Sequence, residues 1–279
     1  MQPTSARRQR LGADLRRLRE MAGLGGRAMA AEIGISQAGI SRIETGTRLP
    51  TLPEARAWAR AVDADAETTD RLMADVEAAY TDVETWRHSL AGARHFQTRA
   101  AEIDRISGRL RSYQAFIVPG LMHTADYARR IFELCAVPGM DIPAAVTARL
   151  ERQRILYEPG RAFEFIVTES ALRYPAGPAS VLRSQLGRLL SLASLDQVDL
   201  AVIPLRHEPT RLGWHSFVIH DHLLDDGEPF VDVELAHADV SVADPQDVAT
   251  YEAIWEHLAA SALRAQSALE FVEAVAKSL

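Results

Sequence analysis

The first 80 residues show short runs of hydrophobic positions at helical spacing. Leu11, Leu15 and Leu18 recur on one helical face, and Ile40 and Ile43 do so on another. Gly23, Gly34 and Gly46 interrupt the pattern, as glycines after helix ends do. Further hydrophobic positions at helical spacing are Ala55, Trp58, Ala59 and Val62, then Leu72, Met73, Val76 and Tyr80. The pattern predicts five short helices packed around one small core.

Polar residues at the breaks are suited to begin helices. Ser36 precedes a helix bearing Ile40 and Ile43, and serine is a good N-cap. Thr51 and Glu54 have the spacing of a capping box. A second pair with this spacing, Thr81 and Glu84, predicts another helix start.

The rest of the chain alternates between the two periodicities. Helical patterns occupy about 97–111, 124–136, 143–156, 178–194, 246–262 and 265–277. Strand-like runs occupy 113–118, 163–168, 198–203, 214–220 and 230–235. Asp225-Asp226-Gly227 lies between the last two runs and predicts a hairpin turn.

These elements predict a mainly α protein with a small mixed sheet. Residues 1–80 are predicted to form an all-α five-helix domain, and residues 81–96 a helical connector. Residues 97–279 are predicted to form an α+β domain, because helices that flank a small sheet are its natural packing.

Composition narrows the class of protein. The 279 residues are 47% hydrophobic and 25% charged, which is ordinary for a globular protein and argues against a disordered chain. The hydrophobic runs are too short to span a membrane, and no signal peptide is recognised. A single cysteine, Cys135, excludes an intramolecular disulfide, so a cytoplasmic location is expected.

Charge is distributed unevenly along the chain. Residues 1–60 carry 11 arginines and 5 acidic residues, a net charge of +6. The remaining residues carry 20 basic and 33 acidic residues, a net charge of −13. A basic N-terminal domain on an acidic body indicates that only the N-terminal domain meets a polyanion.

Residues 29–44 have the pattern of two short helices that cross closely. Ala30 is small enough for the approach, and Gly34 suits a tight turn. With Ile40 and Ile43 inside, the outward positions of the second helix are Gln37, Ala38, Ser41, Arg42 and Thr45. Glutamine and arginine make bidentate contacts to adenine and guanine in the major groove.

This segment resembles the XRE-type, lambda-repressor-like helix-turn-helix family over residues 11–62. The resemblance implies that Gln37, Ala38, Ser41 and Arg42 contact bases. It also places Thr47 and Arg48 where phosphate contacts are usual. Gly26 stands where the family often has glutamine, and the neighbouring Arg27 is expected to contact phosphate instead.

Arg7, Arg8 and Arg10 have two interpretations. They form either an arm that reaches DNA phosphates or a solvated, disordered start of the chain.

Residues 95–277 resemble the antitoxin-like domain of actinobacterial WhiJ-like regulators. The resemblance rests on residues 113–129, 168–172, 202–205 and 244–248. It implies a regulatory domain that is often encoded beside a small partner protein, and it fixes no ligand. The turn at Pro119-Gly120 is either scaffolding or part of a groove for a ligand or partner.

Catalytic and metal sites find little support in the sequence. His220 and His222, with Asp225 and Asp226, form the best cluster, but hairpin turns are rich in such residues. We therefore expect no catalytic residue, metal or cofactor. Other reactive or aromatic side chains are expected in the core, namely Cys135, Trp214, Trp255 and Phe271.

The expected function is that of a sequence-specific transcriptional regulator that binds double-stranded DNA as a homodimer. Its C-terminal domain is expected to dimerise and to receive a signal from a small partner protein. The alternatives are a small-molecule pocket in that domain and, with less support, a metal-dependent enzyme.

Overall fold

A computed structural model describes residues 6–85, 94–135, 140–206, 211–224, 227–235 and 238–279. The chain divides into two units. The first comprises residues 1–83 with 241–244, and the second comprises 84–240 with 245–279. Among the described residues, no helix is long and apolar enough to cross a membrane.

The first unit contains the five expected helices. They are α1 (Ala6–Met21), α2 (Gly26–Ile33), α3 (Gln37–Glu44), α4 (Leu52–Ala61) and α5 (Ala66–Tyr80). One residue or more from each helix is buried in this unit, including Leu15, Ile40, Trp58 and Val76. The predicted hydrophobic spacing therefore marks the inner faces of the helices.

The expected caps of this unit are present. The Ser36 hydroxyl accepts a hydrogen bond from Gly39 N–H (3.0 Å) at the start of α3. Thr51 and Glu54 form a reciprocal capping box at the start of α4.

The second predicted capping box is wrong. Residues Thr81–Thr85 form a short strand, β1, and not the start of a helical connector. Thr81 already has an extended backbone at the end of α5. Beside it, Ala243 N–H donates to the carbonyl of Tyr80 (2.9 Å), which ties residues 241–244 to the first unit.

The second unit is α+β, as expected. Its helices are α6 (Arg94–Ile106), α7 (Ala125–Leu134), α8 (Ile142–Arg152), α9 (Glu169–Arg173), α10 (Ala179–Leu192), α11 (Pro245–Ala260) and α12 (Ala265–Lys277). Its strands are β2 (Ser107–Gln114), β3 (Ala162–Thr168), β4 (Val198–Ile203), β5 (Phe217–Leu223), β6 (Phe230–Glu234) and β7 (Ala238–Val242). Short 3-10 helices occupy Gly120–Met122 and Gln153–Tyr157.

These six strands form a mixed sheet in the order β7-β6-β5-β2-β3-β4. The strands β2, β3 and β4 are parallel, and β5 is antiparallel to both β2 and β6. The predicted pairing of β5 with β6 as a hairpin is confirmed, while Asp225 and Asp226 of its turn lie outside the described residues. The main core packs Phe163 and Phe165 of the sheet with Leu186 and Val272 of the helices.

The strand β2 begins earlier than its hydrophobic pattern predicts. Residues 107–111 were expected to be helical, but they belong to β2. Arg109 pairs with Glu164 on β3, and Arg111 pairs with Asp221 on β5. The partners of such cross-strand ion pairs are distant in the sequence. The local pattern around Arg109 and Arg111 therefore could not predict this part of the strand.

Two of the expected core residues are exposed. Trp214 is 79% exposed because β5 begins at Phe217 and leaves it in the preceding segment. Cys135 is exposed because it caps the C-terminus of α7. Trp255 is buried, as expected, and Phe271 is partly buried against the main core.

Candidate nucleic-acid interface

The turn between α2 and α3 has the predicted geometry. Gly34 ends α2 with φ 82°, a left-handed conformation that favours glycine. Its N–H and that of Ile35 both donate to the carbonyl of Ala30, at 3.0 and 3.1 Å. These two hydrogen bonds close a sharp turn of the chain, and Ser36 then caps the N-terminus of α3.

The inner face of α3 is buried and its outer face is exposed. Ile40 and Ile43 are 2% and 1% exposed, respectively. The four residues that the resemblance assigns to base contacts are all exposed, namely Gln37, Ala38, Ser41 and Arg42. The helix therefore presents one amide, one hydroxyl and one guanidinium to solvent on a single face.

Arg27 and Gln37 meet at the start of this face. Arg27 Nε donates to Gln37 Oε1 at 3.2 Å, and both side chains are exposed. A carbonyl oxygen has two lone pairs, so Gln37 keeps one acceptor site and both N–H donors. The contact joins a residue expected at phosphate to one expected at a base.

The C-terminal end of α3 is closed by hydroxyl groups. The carbonyl of Arg42 accepts from the backbone N–H of Thr47 (2.9 Å) and from its hydroxyl (3.0 Å). The Thr45 hydroxyl donates to the carbonyl of Ser41 at 2.9 Å. Thr47 is thus held directly behind Arg42, where its hydroxyl oxygen retains acceptor capacity.

The side chain of Arg48 is held by protein contacts more than expected for a residue that binds phosphate. Its Nη2 donates to Glu54 Oε1 at 2.8 Å, and both side chains are largely buried. Burial raises the pKa of Glu54, but hydrogen bonds from Arg48 and the Thr51 backbone bring it below the ordinary value. Arg48 therefore joins the loop after α3 to the capping box of α4.

An ion pair between Arg19 and Glu44, called the clamp below, joins α1 to α3. The local sequence pattern does not predict it. Arg19 Nε and Nη2 donate to the two carboxylate oxygens of Glu44, at 2.5 and 3.0 Å. Arg19 Nη1 also donates to the carbonyl of Leu24 at 2.7 Å. The Glu44 hydrogen bond raises the pKa of Arg19. One guanidinium thus fixes the last residue of α3 against α1 and the following loop.

Gly12 permits the same close approach. A Cβ placed at Gly12 would lie 2.6 Å from the carbonyl oxygen of Glu44 and 2.7 Å from that of Ile43. The end of α3 therefore packs directly on the backbone of α1.

The N-terminal arginines do not form a disordered start. Arg7 and Arg8 lie in α1, where Arg7 Nη1 donates to the carbonyl of Ala78 (2.8 Å). Arg8 is 6% exposed, whereas Arg10 is exposed. All three arginines lie in α1, so a flexible arm at these positions is wrong, while the exposed Arg7 and Arg10 can still meet DNA phosphates from the helix.

The two histidines of the candidate metal cluster lie in different environments, and its Asp225 and Asp226 lie outside the described residues. His220 is buried, with Nδ1 2.7 Å from the Ser107 hydroxyl, whereas His222 is exposed with φ 45°. Within the described ranges, no group of three histidine, cysteine or acidic side chains is placed to hold a metal ion.

The Pro119-Gly120 turn lines a cavity. Val118, Pro119, Gly120 and Leu121 form one wall of a space of about 180 Å³ in the second unit. The backbone here is fixed, because Gln153 and Gln185 donate to the carbonyls of His123 and Met122, each at 2.7 Å. The turn thus borders a cavity and is held by hydrogen bonds, so scaffolding and groove wall both remain interpretations of it.

With this geometry established, comparison with known proteins identifies both units. Residues 10–72 match a helix-turn-helix domain, and residues 97–274 match a domain of unknown function, DUF5753. The chain belongs to the DUF5753 family. A helix-turn-helix domain in a DUF5753 protein supports DNA binding through α2 and α3.

Other comparisons add no assignment. No curated protein matches this DUF5753 chain. It is similar to a phospholipase D family member, Nuc from Salmonella typhimurium, at 13% identity and TM-score 0.34, covering 67% of this chain and 98% of the other. It is also similar to TrmBL2, an archaeal chromatin protein, at 11% identity and TM-score 0.32, covering 75% and 67%. TM-scores this low support no conclusion about the fold or function of this chain.

Proposed function

We propose that this protein is a sequence-specific transcriptional regulator of the XRE, lambda-repressor-like type. The observation that carries the proposal is the exposed face of α3, with Gln37, Ser41 and Arg42 on a helix whose opposite face is buried. These side chains suit the donor and acceptor pattern of the major groove, and Ala38 suits contact with a thymine methyl group.

Phosphate contacts would flank that face. Arg27 lies beside Gln37, and Thr47 lies behind Arg42, so each flanks the recognition face. Arg48 would contribute less to phosphate binding, because Glu54 holds its guanidinium. A net charge of +6 over residues 1–60 supports this orientation toward DNA.

The regulator would act as a homodimer. One helix-turn-helix reads only a few base pairs, and two copies related by two-fold symmetry read a near-palindrome with half-sites about 34 Å apart. The acidic second unit would supply the dimer contact. It contains 19 basic and 25 acidic residues, and this net charge of −6 would keep it away from DNA.

The second unit would have a regulatory role, not a catalytic one. Its similarity to the antitoxin-like domain of actinobacterial WhiJ-like regulators supports a signal from a small partner protein. A small-molecule signal is the second candidate, and the cavity beside Pro119 is the specific observation that favours it. A role in gene regulation places the protein in the cytoplasm.

The test is selection of genomic DNA fragments by the purified full-length protein. We expect enrichment of one near-palindromic site, with half-sites centred about 10 base pairs or a multiple of this apart. Light scattering with and without that DNA should show two chains per site. Fragments enriched without a shared sequence would contradict sequence-specific binding, and a single chain on a single half-site would contradict the dimer.

A further inference from the structure

The cavity of the second unit lies on one face of the sheet. Alternate residues of adjacent strands form its floor, and Ser112, Val218 and Asp232 stand in one row across β2, β5 and β6. The helices α6 and α8 and the Pro119-Gly120 turn cover it. At about 180 Å³ the cavity lies below the range of drug-sized ligand sites, which begins near 300 Å³.

Its apolar lining suits a small organic molecule. Hydrophobic side chains come from the sheet and from the covering elements, namely Ile103, Leu110, Ile117, Leu121, Phe165 and Phe217. Polar groups are interspersed on the floor, where Gln114 Nε2 donates to the Ser112 hydroxyl at 3.3 Å. A ligand pocket typically combines such an apolar body with a few polar groups that fix orientation.

Arg149 places a positive charge at the cavity, and the carboxylates of Glu234 and Asp104 act on it electrostatically. Among the described residues it forms no ion pair, and its buried Nε has no hydrogen-bond partner. In contrast, Arg152 one turn away donates to Asp104 at 2.7 Å. Burial and the charge of Arg152 lower the pKa of Arg149 to about 10, so it remains charged at neutral pH. An anion at this guanidinium would supply the missing acceptor.

The surroundings of Arg149 hold the guanidinium in place. Its Cζ lies 4.4 Å from the centre of the Phe132 ring, a cation–π contact. His123 Nε2 lies 2.7 Å from the carbonyl of Val118 and donates to it, so Nδ1 is free to accept from Arg149 Nη1 at 3.3 Å. Burial and the Arg149 charge hold the pKa of His123 well below its ordinary value, so the ring stays neutral.

Carboxylates line other parts of the same cavity. Together with Arg149 and Arg152, four acidic side chains line it, namely Asp104, Asp232, Glu234 and Asp239. Asp104 serves Arg152, while Asp232 and Glu234 are on β6, two residues apart and on the same face. Asp232 and Asp239 have partners of their own, and Asp232 Oδ2 lies 3.5 Å from His220 Nε2. Glu234 is therefore the lining carboxylate that would meet a cationic end of a ligand.

We propose that this cavity binds a small zwitterion of α-amino-acid type, with its carboxylate on Arg149 and its ammonium group facing Glu234. The apolar lining would then receive the side chain or carbon skeleton. This inference deepens the small-molecule alternative for the second unit and rests on it only for the regulatory consequence, since ligand binding itself is measured directly.

The experiment measures the melting temperature of the full-length protein with each of the twenty proteinogenic amino acids. Propionate and inorganic phosphate serve as probes that lack the ammonium group. Calorimetric titration then gives the Kd of each amino acid that raises the melting temperature. The variants are Arg149→Met, Arg149→Lys and Glu234→Gln, and the matched control is Arg154→Met, an exposed arginine near the same helix.

We expect one or a few amino acids to raise the melting temperature. Arg149→Met should weaken their binding about tenfold or more, Arg149→Lys should weaken it less, and Arg154→Met should leave it unchanged. Glu234→Gln should weaken binding of the amino acid and not of propionate. This comparison remains decisive if Arg149→Met does not fold.

Three results would overturn the proposal. They are the absence of any melting shift with the amino acids, an equal shift in a folded Arg149→Met variant, and a shift with propionate or phosphate as large as that with the amino acids. DNA selection uses separate samples without ligand, so failure of DNA binding and failure of ligand binding are seen independently.

Discussion

The carboxylate of Glu44 is held by the guanidinium of Arg19 through two hydrogen bonds, although 25 residues separate them. Glu44 is the last residue of α3, two residues after Arg42. The Arg19–Glu44 clamp therefore fixes the C-terminal end of α3, the predicted recognition helix, against α1. Orientation of α3, on which base reading depends, rests on this pair and on the close packing at Gly12.

Arg19→Met should destabilise the first unit strongly. Both side chains are 11% exposed, and removal of one partner leaves a largely buried charge on Glu44, at a cost of about 3 kcal/mol. Denaturant titration of the full-length protein measures the loss. The matched control is Arg16→Met, whose pair with Glu20 is exposed to solvent and whose loss should barely change the stability. Equal effects of the two variants would contradict the clamp.

Two glycines should respond in opposite directions to alanine. Gly12→Ala places a Cβ 2.6 Å from a backbone carbonyl, so α1 and α3 must separate, at a cost of about 1–3 kcal/mol. Gly39→Ala meets only ordinary side-chain contacts at 3.4 Å and should stabilise α3, by up to about 1 kcal/mol. Melting curves of both variants test the packing, and a Gly12→Ala variant as stable as Gly39→Ala would refute it.

Stability of the second unit should fall as the pH drops below about 6.5. Burial and the charge of Arg149 hold His123 neutral in the fold, so the unfolded chain takes up the proton first. Stability is complete above the unfolded pKa and is lost as the pH falls from there toward the folded pKa. Each unit of depression costs about 1.4 kcal/mol. His220 of the same unit is also buried, with its pKa lowered to about 4, and adds to this dependence. His123→Gln should therefore reduce the loss of stability between pH 7 and pH 5 in denaturation, and a loss as large as that of the wild type would count against this account.

The local chemistry of the sequence was enough to predict the recognition element. Turn, cap and periodicity rules predict the roles of Gly34, Ser36 and Ile40, respectively. Periodicity also predicts which residues of α3 are exposed. Such rules act over a few residues, and the helix-turn-helix is built from contacts of that range.

Long-range contacts explain what the sequence could not predict. Arg109 and Arg111 look unsuited to a buried strand until Glu164 and Asp221 are beside them. Thr81 and Glu84 have the spacing of a capping box, yet the chain continues as a strand. Arg149 is one of many arginines in the sequence, and only the fold shows that it borders a cavity without a carboxylate partner among the described residues.

The most direct test of DNA reading by α3 compares Arg42→Ala with Arg17→Ala. Both remove one exposed arginine, but Arg17 lies on α1 beside Asp14. Fluorescence anisotropy would measure binding to the selected operator and to a scrambled duplex of equal length. We predict that Arg42→Ala weakens operator binding by about 1–3 kcal/mol and changes binding to the scrambled duplex far less, while Arg17→Ala resembles the wild type. An Arg42→Ala variant with wild-type affinity for the operator would contradict the account.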